Sequence, residues 1–448
     1  MSVTARFLVI ACLLFNLSAI AFSQRTDPEA KAALASGAFD YAQKAPMNVK
    51  RFRPVLSVRP GTVFDATTGA VISNVGSGPG NAPNNKSAVT ISTTPIASFD
   101  GSFVPLGGPN KDGLFPFSML GGHPALGRTT NIGAKISEVS LILRNADTSV
   151  LTRVSYAPFE DLTLQSPNFA TTNYGSGQQI QFADAVQRAE FFNTMASNWH
   201  TNLQPTVTNR SAVFDVPRFG PVRLSNGHVV QARSYFIGTA ADGNTFVLML
   251  DILFNALFGN EVNQEITDGN FTSDSLNMTL LPNTFLFSLN ANKPDTPGTC
   301  CVGGFHTVFF DPDTTPSTRW VTQFASWVSP GLFSGGTADV TAISHETSEA
   351  FNDPFLDNIT PIWQFPGQPP KSRVCQGGLE TGDPIEGLPV ATVPITLMVD
   401  GQSFTFHPQT EALLQWFQMG DSSNAIDDAF SFPDESALLS SAVPCPNN

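Results

Sequence analysis

The stretch Ala338-Asp-Val-Thr-Ala-Ile-Ser-His-Glu-Thr-Ser-Glu-Ala-Phe-Asn-Asp-Pro354 decides how the rest of the chain is read. Val340, Ile343, Ala350 and Phe351 recur at three- and four-residue steps, the pattern of a helix's buried face. The breaker Gly335-Gly336 precedes it, Asp339 is placed to cap the first turn, and Pro354 supplies a stop. His345 and Glu349 then lie one turn apart on a common side, with Glu346 beside His345. An imidazole and a carboxylate so placed can hold one metal ion. Glu346 is then positioned to take a proton from water that the ion polarises.

The pattern is His-Glu-x-x-Glu, a variant of the His-Glu-x-x-His metalloprotease helix in which a carboxylate replaces the second imidazole. Taken alone, it also fits a solvated helix face that happens to carry one histidine and two glutamates. The surroundings have to decide between the two.

Of the 448 residues 41% are apolar and only 13% charged, with 35 glycines and 34 prolines. That describes a loop-rich globular chain with ample core material rather than a disordered one. Acidic residues outnumber basic ones by 37 to 23, a net charge of −14, which argues against nucleic acid as a partner. Arg6 is followed by the apolar run Phe7–Phe22 with small residues near its end, the pattern of a secretory signal peptide cut near Ala21 or Ser23. Val9-Ile-Ala-Cys12 loosely imitates a lipoprotein site, but apolar residues continue past the cysteine, and the run is short for a membrane span. The expected address is extracellular, with no integral membrane segment in the mature chain.

Cys300, Cys301, Cys375 and Cys445 remain after the signal peptide. An even number in an exported chain implies two disulfides, with three possible connectivities. A ring closed between neighbours would be strained, so Cys300 and Cys301 are expected in different bridges, one to Cys375 and one to Cys445.

In chain order, the expected organisation is a signal peptide over 1–23, a leader over 24–113 and a folded body over 114–448. The leader is rich in Pro, Gly and Asn and reads as a linker or pro-segment. Within the body, Ile136–Leu143 reads as a strand and Ala183–Phe192 as a helix reaching about Trp199. Tyr235–Gly238 and Phe246–Leu250 read as a hairpin about Asp242-Gly243-Asn244. Asn283–Leu289, His306–Phe310 and Arg319–Val328 are further strands leading into the His345 helix. About thirty residues past Glu349, Cys375-Gln-Gly-Gly-Leu-Glu-Thr-Gly-Asp-Pro384 places Glu380 and Asp383 beside flexible glycines, within reach of a returning loop. Their plainer reading is a polar turn.

Ser344–Glu349, Asn352-Asp-Pro354, Trp363 and Glu380-Thr-Gly-Asp383 resemble the core of the phosphate-induced, EXORDIUM-type extracellular proteins. The same order is similar to that of a group of uncharacterised secreted bacterial proteins, in which a Cys-Cys pair and a Gly-aromatic-His stretch precede the helix, as Cys300 to His306 do here. The similarity covers about residues 280–420, and this chain has Pro384 where EXORDIUM-type proteins usually continue with Leu-Cys. The resemblance implies an α+β, zincin-like metalloprotease scaffold with a β-rich upper subdomain, an active-site helix and a loop-rich lower part. It also implies an extracellular role connected with growth and the cell wall.

Two functions are expected from these residues. The first is a secreted metal-dependent hydrolase, a metallopeptidase-like enzyme acting on extracellular peptide or protein. His345 and Glu349 with Glu380 or Asp383 would bind Zn2+, the other carboxylate orienting His345. Glu346 would be the general base, and His306 or His407 the oxyanion or proton-donating group. One histidine with two carboxylates makes Mn2+ or Ca2+ credible competitors. The second is a non-catalytic extracellular or wall-polysaccharide-binding protein on the same scaffold.

Overall fold

The computed structural model describes residues 26–36, short strand segments at 40–41, 47–48, 63–65 and 71–73, residues 94–366 apart from 176, and residues 375–445. The expected signal peptide and much of the leader lie outside the described residues.

The main sheet is mixed and has eleven strands. Nine of them matter here: β1 (Thr129–Arg144), β2 (Val150–Val154), β3 (His200–Val216), β4 (Tyr235–Thr239), β5 (Thr245–Leu250), β6 (Ser275–Pro282), β7 (Thr284–Leu289), β8 (Pro297–Asp311) and β9 (Thr318–Trp327). The helices that position the site are α1 (Pro28–Ser36), α2 (Phe182–Glu190), α3 (Asp251–Thr267) and α4 (Thr341–Asn352). Across the sheet the order is β3-β1-β6-β9-β8-β7-β5-β4. β3, β1, β6 and β9 run parallel, whereas β8 is antiparallel to both its neighbours. The hairpin expected at 235–250 is β4 paired antiparallel with β5, Ile237 facing Val247.

β8 shows how the sheet is covered on both faces. Side chains alternate along a strand, so Phe305 and Phe309 point one way, Gly304 and His306 the other. Phe305 and Phe309 meet Phe258 of α3 at 5.2 and 6.0 Å between ring centres, and Phe324 of β9 lies 4.4 Å from Phe254. These rings are almost fully buried, and each such side chain contributes about 1.5–3 kcal/mol of apolar burial. The Gly304 and His306 face receives α4. Long strands buried on both sides account for sequence segments with so few charges.

The hairpin of Ser98–Phe103 with Phe115–Leu120 spans the expected boundary at 113/114. Its Phe99, Phe103 and Phe117 enter a second core with Trp199, Trp363 and Trp416. Further upstream, α1 buries Ala30 in the main core, and Asp27 lies 2.7 Å from Arg233 while accepting from the Ile237 amide at 3.0 Å.

Three expectations need correction. Cys300 pairs with its neighbour Cys301, and Cys375 pairs with Cys445. The reason is placement. Cys300 and Cys301 are held in β8 of the main sheet, Cys300 opposite Phe287. The C-terminal tail instead runs beside the strand Ile359–Gln364, Gln364 donating to Val443 O and Cys445 to Ile362 O at 3.0 Å each. The strand Cys375–Gly378 also pairs with Ile359–Gln364, which brings Cys445 to Cys375. The second correction concerns α2, which ends at Glu190 rather than near Trp199. Turns follow, tied by Thr194 and Met195 amides to Phe191 O, and β3 begins at His200. Third, the cap residue of α4 is Val340, and Asp339 at φ 41° is used otherwise.

Candidate metal centre

Every residue of α4 is buried, the polar Ser344, His345, Glu346, Thr347, Ser348 and Glu349 included. The helix can carry polar groups inward because its neighbours answer them. Ser344 Oγ accepts from the Gln409 amide at 2.9 Å, and Gln323 of β9 donates to Thr347 Oγ1 at 3.2 Å. From α2, Gln187 donates to Phe351 O at 3.3 Å and Leu120 O at 3.1 Å. At the N-terminal end Asp339 accepts from the Val340 amide, the His407 amide and His407 Nδ1 at 2.7–2.8 Å. At the other end Asn358 bonds Asn352 O and both backbone groups of Ser118. The helix is clamped at both ends.

His345 Nε2 lies 3.0 Å from Glu349 Oε1 and 3.7 Å from Asp383 Oδ1. His306 Nδ1 lies 3.3 Å from Glu349 Oε2, 3.7 Å from Glu346 Oε2 and 3.8 Å from Glu380 Oε2. The structure therefore brings His345, Glu346, Glu349, Glu380, Asp383 and His306 into one group. His407 stands apart, partly exposed and bonded to Asp339, where its carbonyl also accepts from Thr341 Oγ1. It is a latch on the start of α4.

The loop that returns Glu380 and Asp383 is fixed by its backbone. Leu379 N donates to Asn358 O, Ala412 N to Thr381 O, Gln409 Nε2 to Gly382 O and Gly382 N to Glu349 Oε1. Two glycines allow the close approach: a β-carbon at Gly382 would strike the His345 ring, and one at Gly304 would strike the Glu346 carboxylate.

Glu411 completes the group and was not anticipated from the sequence. It is fully buried, and it sits near enough to Glu349, Glu346 and Asp383 for their charges to raise its own pKa. Glu411 begins a two-residue strand, Glu411–Ala412, paired with Ser431–Phe432, and Thr-Glu-Ala carries no motif that would have marked it.

Electrostatics report an excess of buried negative charge. Burial opposes the charged form of His345, yet Glu349, Glu346 and Asp383 raise it to about 9. His306 is also raised well above its usual value, burial being overcome by Glu380, Glu346 and Glu349. Burial raises Glu346 to about 7, and pushes Glu380 and Glu411 well above the carboxylate range with help from Glu349. Glu349 is lowered, because His345 and His306 together outweigh its burial. Buried carboxylates in such numbers require protons or cations.

Two sets of donors each lie within 4.8 Å of one another: His345 with Glu346 and Glu349, and His306 with Glu349 and Glu380. Imidazole with carboxylate is a donor set for a borderline or hard divalent cation. Neither oxygen of Glu346 makes a hydrogen bond among the described residues, which also fits a site that takes a cation.

Comparison with known protein families, curated protein sequences and solved structures finds no match for this chain.

Proposed function

We propose that the chain is a secreted, divalent-metal-dependent hydrolase, metallopeptidase-like, on a zincin-like scaffold. The observation that carries this reading is the meeting of His345 and Glu349, from one helix turn, with Asp383 from the returning loop, while Glu346 stands beside them. His345 Nε2, Glu349 Oε1 and Asp383 Oδ1 would hold the cation, Zn2+ or Mn2+ by donor type. When bound, the cation supplies a Lewis acid that polarises the scissile carbonyl.

Glu346 is the general base. Its carboxylate accepts a proton from the attacking water and returns it to the leaving amine. Gly304 leaves room for that carboxylate, and the clamps at Asp339 and Asn358 hold α4 in place. The substrate class is extracellular peptide or protein.

Burial favours a second reading. His345 and Glu346 are 0% exposed, and a residue that touches substrate has to be reached by it. A wall-polysaccharide or other extracellular binding protein would use the same cation structurally.

Glu346→Gln separates the two. In the hydrolase the variant keeps its metal and its melting temperature, while cleavage of an unbiased peptide library falls by about two to four orders of magnitude. Cleavage unchanged in the variant rules out this mechanism, and no cleavage by either form with any divalent ion supports the binding protein.

A further inference from the structure

Glu349 presents its two oxygens to two different histidines. Oε1 lies 3.0 Å from His345 Nε2, and Oε2 lies 3.3 Å from His306 Nδ1. We propose that the centre is dinuclear: a second divalent cation is held by His306 Nδ1, Glu349 Oε2 and Glu380 Oε2, with the Glu349 carboxylate bridging it to the first. The proposal rests on the metal-site reading above and extends it to residues that reading leaves unused.

The orientation of His306 is the first reason. Its Nε2 lies 3.1 Å from the carbonyl of Asp353, which can only accept, so Nε2 carries the hydrogen. This arrangement, with the outer ring N–H given to a backbone carbonyl, is the one that orients a metal-binding imidazole. Nδ1 is left pointing at the carboxylates of Glu349, Glu346 and Glu380, at 3.3, 3.7 and 3.8 Å. A bare nitrogen lone pair among three carboxylates is repulsive from every side. Only a cation, a proton or a metal ion, makes that pocket favourable.

The second reason is how the ligands are brought together. Gly304 and His306 share the α4-facing side of β8, and α4 delivers Glu346 to the first and Glu349 to the second. Leu379 N bonds to Asn358 O, and Asn358 in turn holds the end of α4, which fixes Glu380 relative to the helix. The three donor atoms lie within 4.8 Å of one another and all three residues are buried. Such a site is made by a strand, a helix and a loop that are each independently anchored.

The third reason is demand. Glu411, 0% exposed, adds a further buried carboxylate beside Glu349, Glu346 and Asp383. One divalent ion at His345 would leave the Nδ1 side of His306, with three carboxylate oxygens within 3.8 Å, without a cation of its own. A second ion supplies it. One carboxylate bridging two ions is consistent with the roughly 3.5–4 Å spacing of two-metal hydrolytic centres.

The test is stoichiometry, which needs no activity. Full-length protein, stripped with chelator and dialysed, is titrated with Zn2+ and its content read by mass spectrometry. Wild type is expected to bind two equivalents, His306→Gln and Glu380→Gln one each. Manganese gives a second readout, because two Mn2+ ions sharing a carboxylate are spin-coupled. The resolved hyperfine pattern of an isolated ion should be absent in loaded wild type and present in either variant. Circular dichroism identifies a variant that has lost its fold, and the wild-type stoichiometry and spectrum then decide alone. Saturation at one equivalent, or an isolated-ion spectrum in wild type, overturns the second site and leaves the mononuclear reading standing. No bound metal at all overturns both.

Discussion

A β-carbon at position 382 would collide with the imidazole of His345, and one at position 304 with the carboxylate of Glu346. Neither neighbour has room to retreat, since both are fully buried. Gly382→Ala and Gly304→Ala are therefore overpacking changes that should cost about 1–3 kcal/mol each. They should also differ in kind. Gly382→Ala displaces a ligand and should weaken Zn2+ binding, whereas Gly304→Ala displaces the base and should leave metal content nearer wild type. Thermal melts and zinc titrations of the two variants check this, and alanine at both positions with unchanged melting and affinity would contradict the packing described here. At this scale the sequence was readable where spacing carried information. His345, Glu346 and Glu349 follow from helical periodicity, and Glu380 and Asp383 from the glycines around them. Glu411 did not follow, because no local pattern ties it to a helix some sixty residues upstream. His407 is the reverse case: a histidine legible as a candidate, whose imidazole is held by Asp339 at 2.7 Å.

Elements were legible to the extent that one face of each was apolar. α4 was recognisable from Val340, Ile343, Ala350 and Phe351, but its opposite face, Ser344, Thr347 and Ser348, looks solvated and is buried. That inversion happens because β8, β9, α2 and the strand Phe115–Leu120 surround the helix, a tertiary fact with no local signature. α3 shows a comparable burial of charge. Its Glu261 accepts from Ser137 Oγ of β1 at 2.8 Å, and burial together with a hydrogen bond shared with Glu265 raises it from 4.5 to about 8. The folded chain thus keeps a proton that the unfolded chain releases above about 4.5. More protons bound in the native state means stability falls as pH rises through that window, by up to one proton's worth of slope. Glu261→Gln retains an acceptor for Ser137 and cannot ionise, so its melting temperature should decline less than that of wild type between about pH 4.5 and pH 8. Parallel slopes for the two proteins would show that Glu261 ionises in the fold.

For the molecule as a whole, a third small cluster, with Phe182, Val186, Leu413 and Phe432, adds to the two cores described above, and the C-terminal tail is tied to the second. The tail is pinned by Cys375–Cys445, which closes a loop with a sequence separation of 70. Chain entropy over a loop of that length is worth about 4 kcal/mol in the unfolded state. Replacing both cysteines by serine should lower the urea midpoint accordingly. It should also loosen Zn2+ binding, because the strand Cys375–Gly378 leads directly into the loop bearing Glu380 and Asp383. A midpoint lowered with affinity intact would place the disulfide's effect outside that loop. The pairing itself was not readable from the cysteine positions, which say nothing about Cys300 and Cys301 sitting in β8 while the tail runs along Ile359–Gln364. The complete burial of α4 has one more consequence, and it concerns time rather than affinity. A cation seated beneath β8, α2 and the returning loop has no direct path to solvent, so its exchange waits for the helix to open. Metal release and the amide hydrogen exchange of residues 345–349 should then share one rate. Stripping and reloading the folded protein are then slow, each gated by that opening.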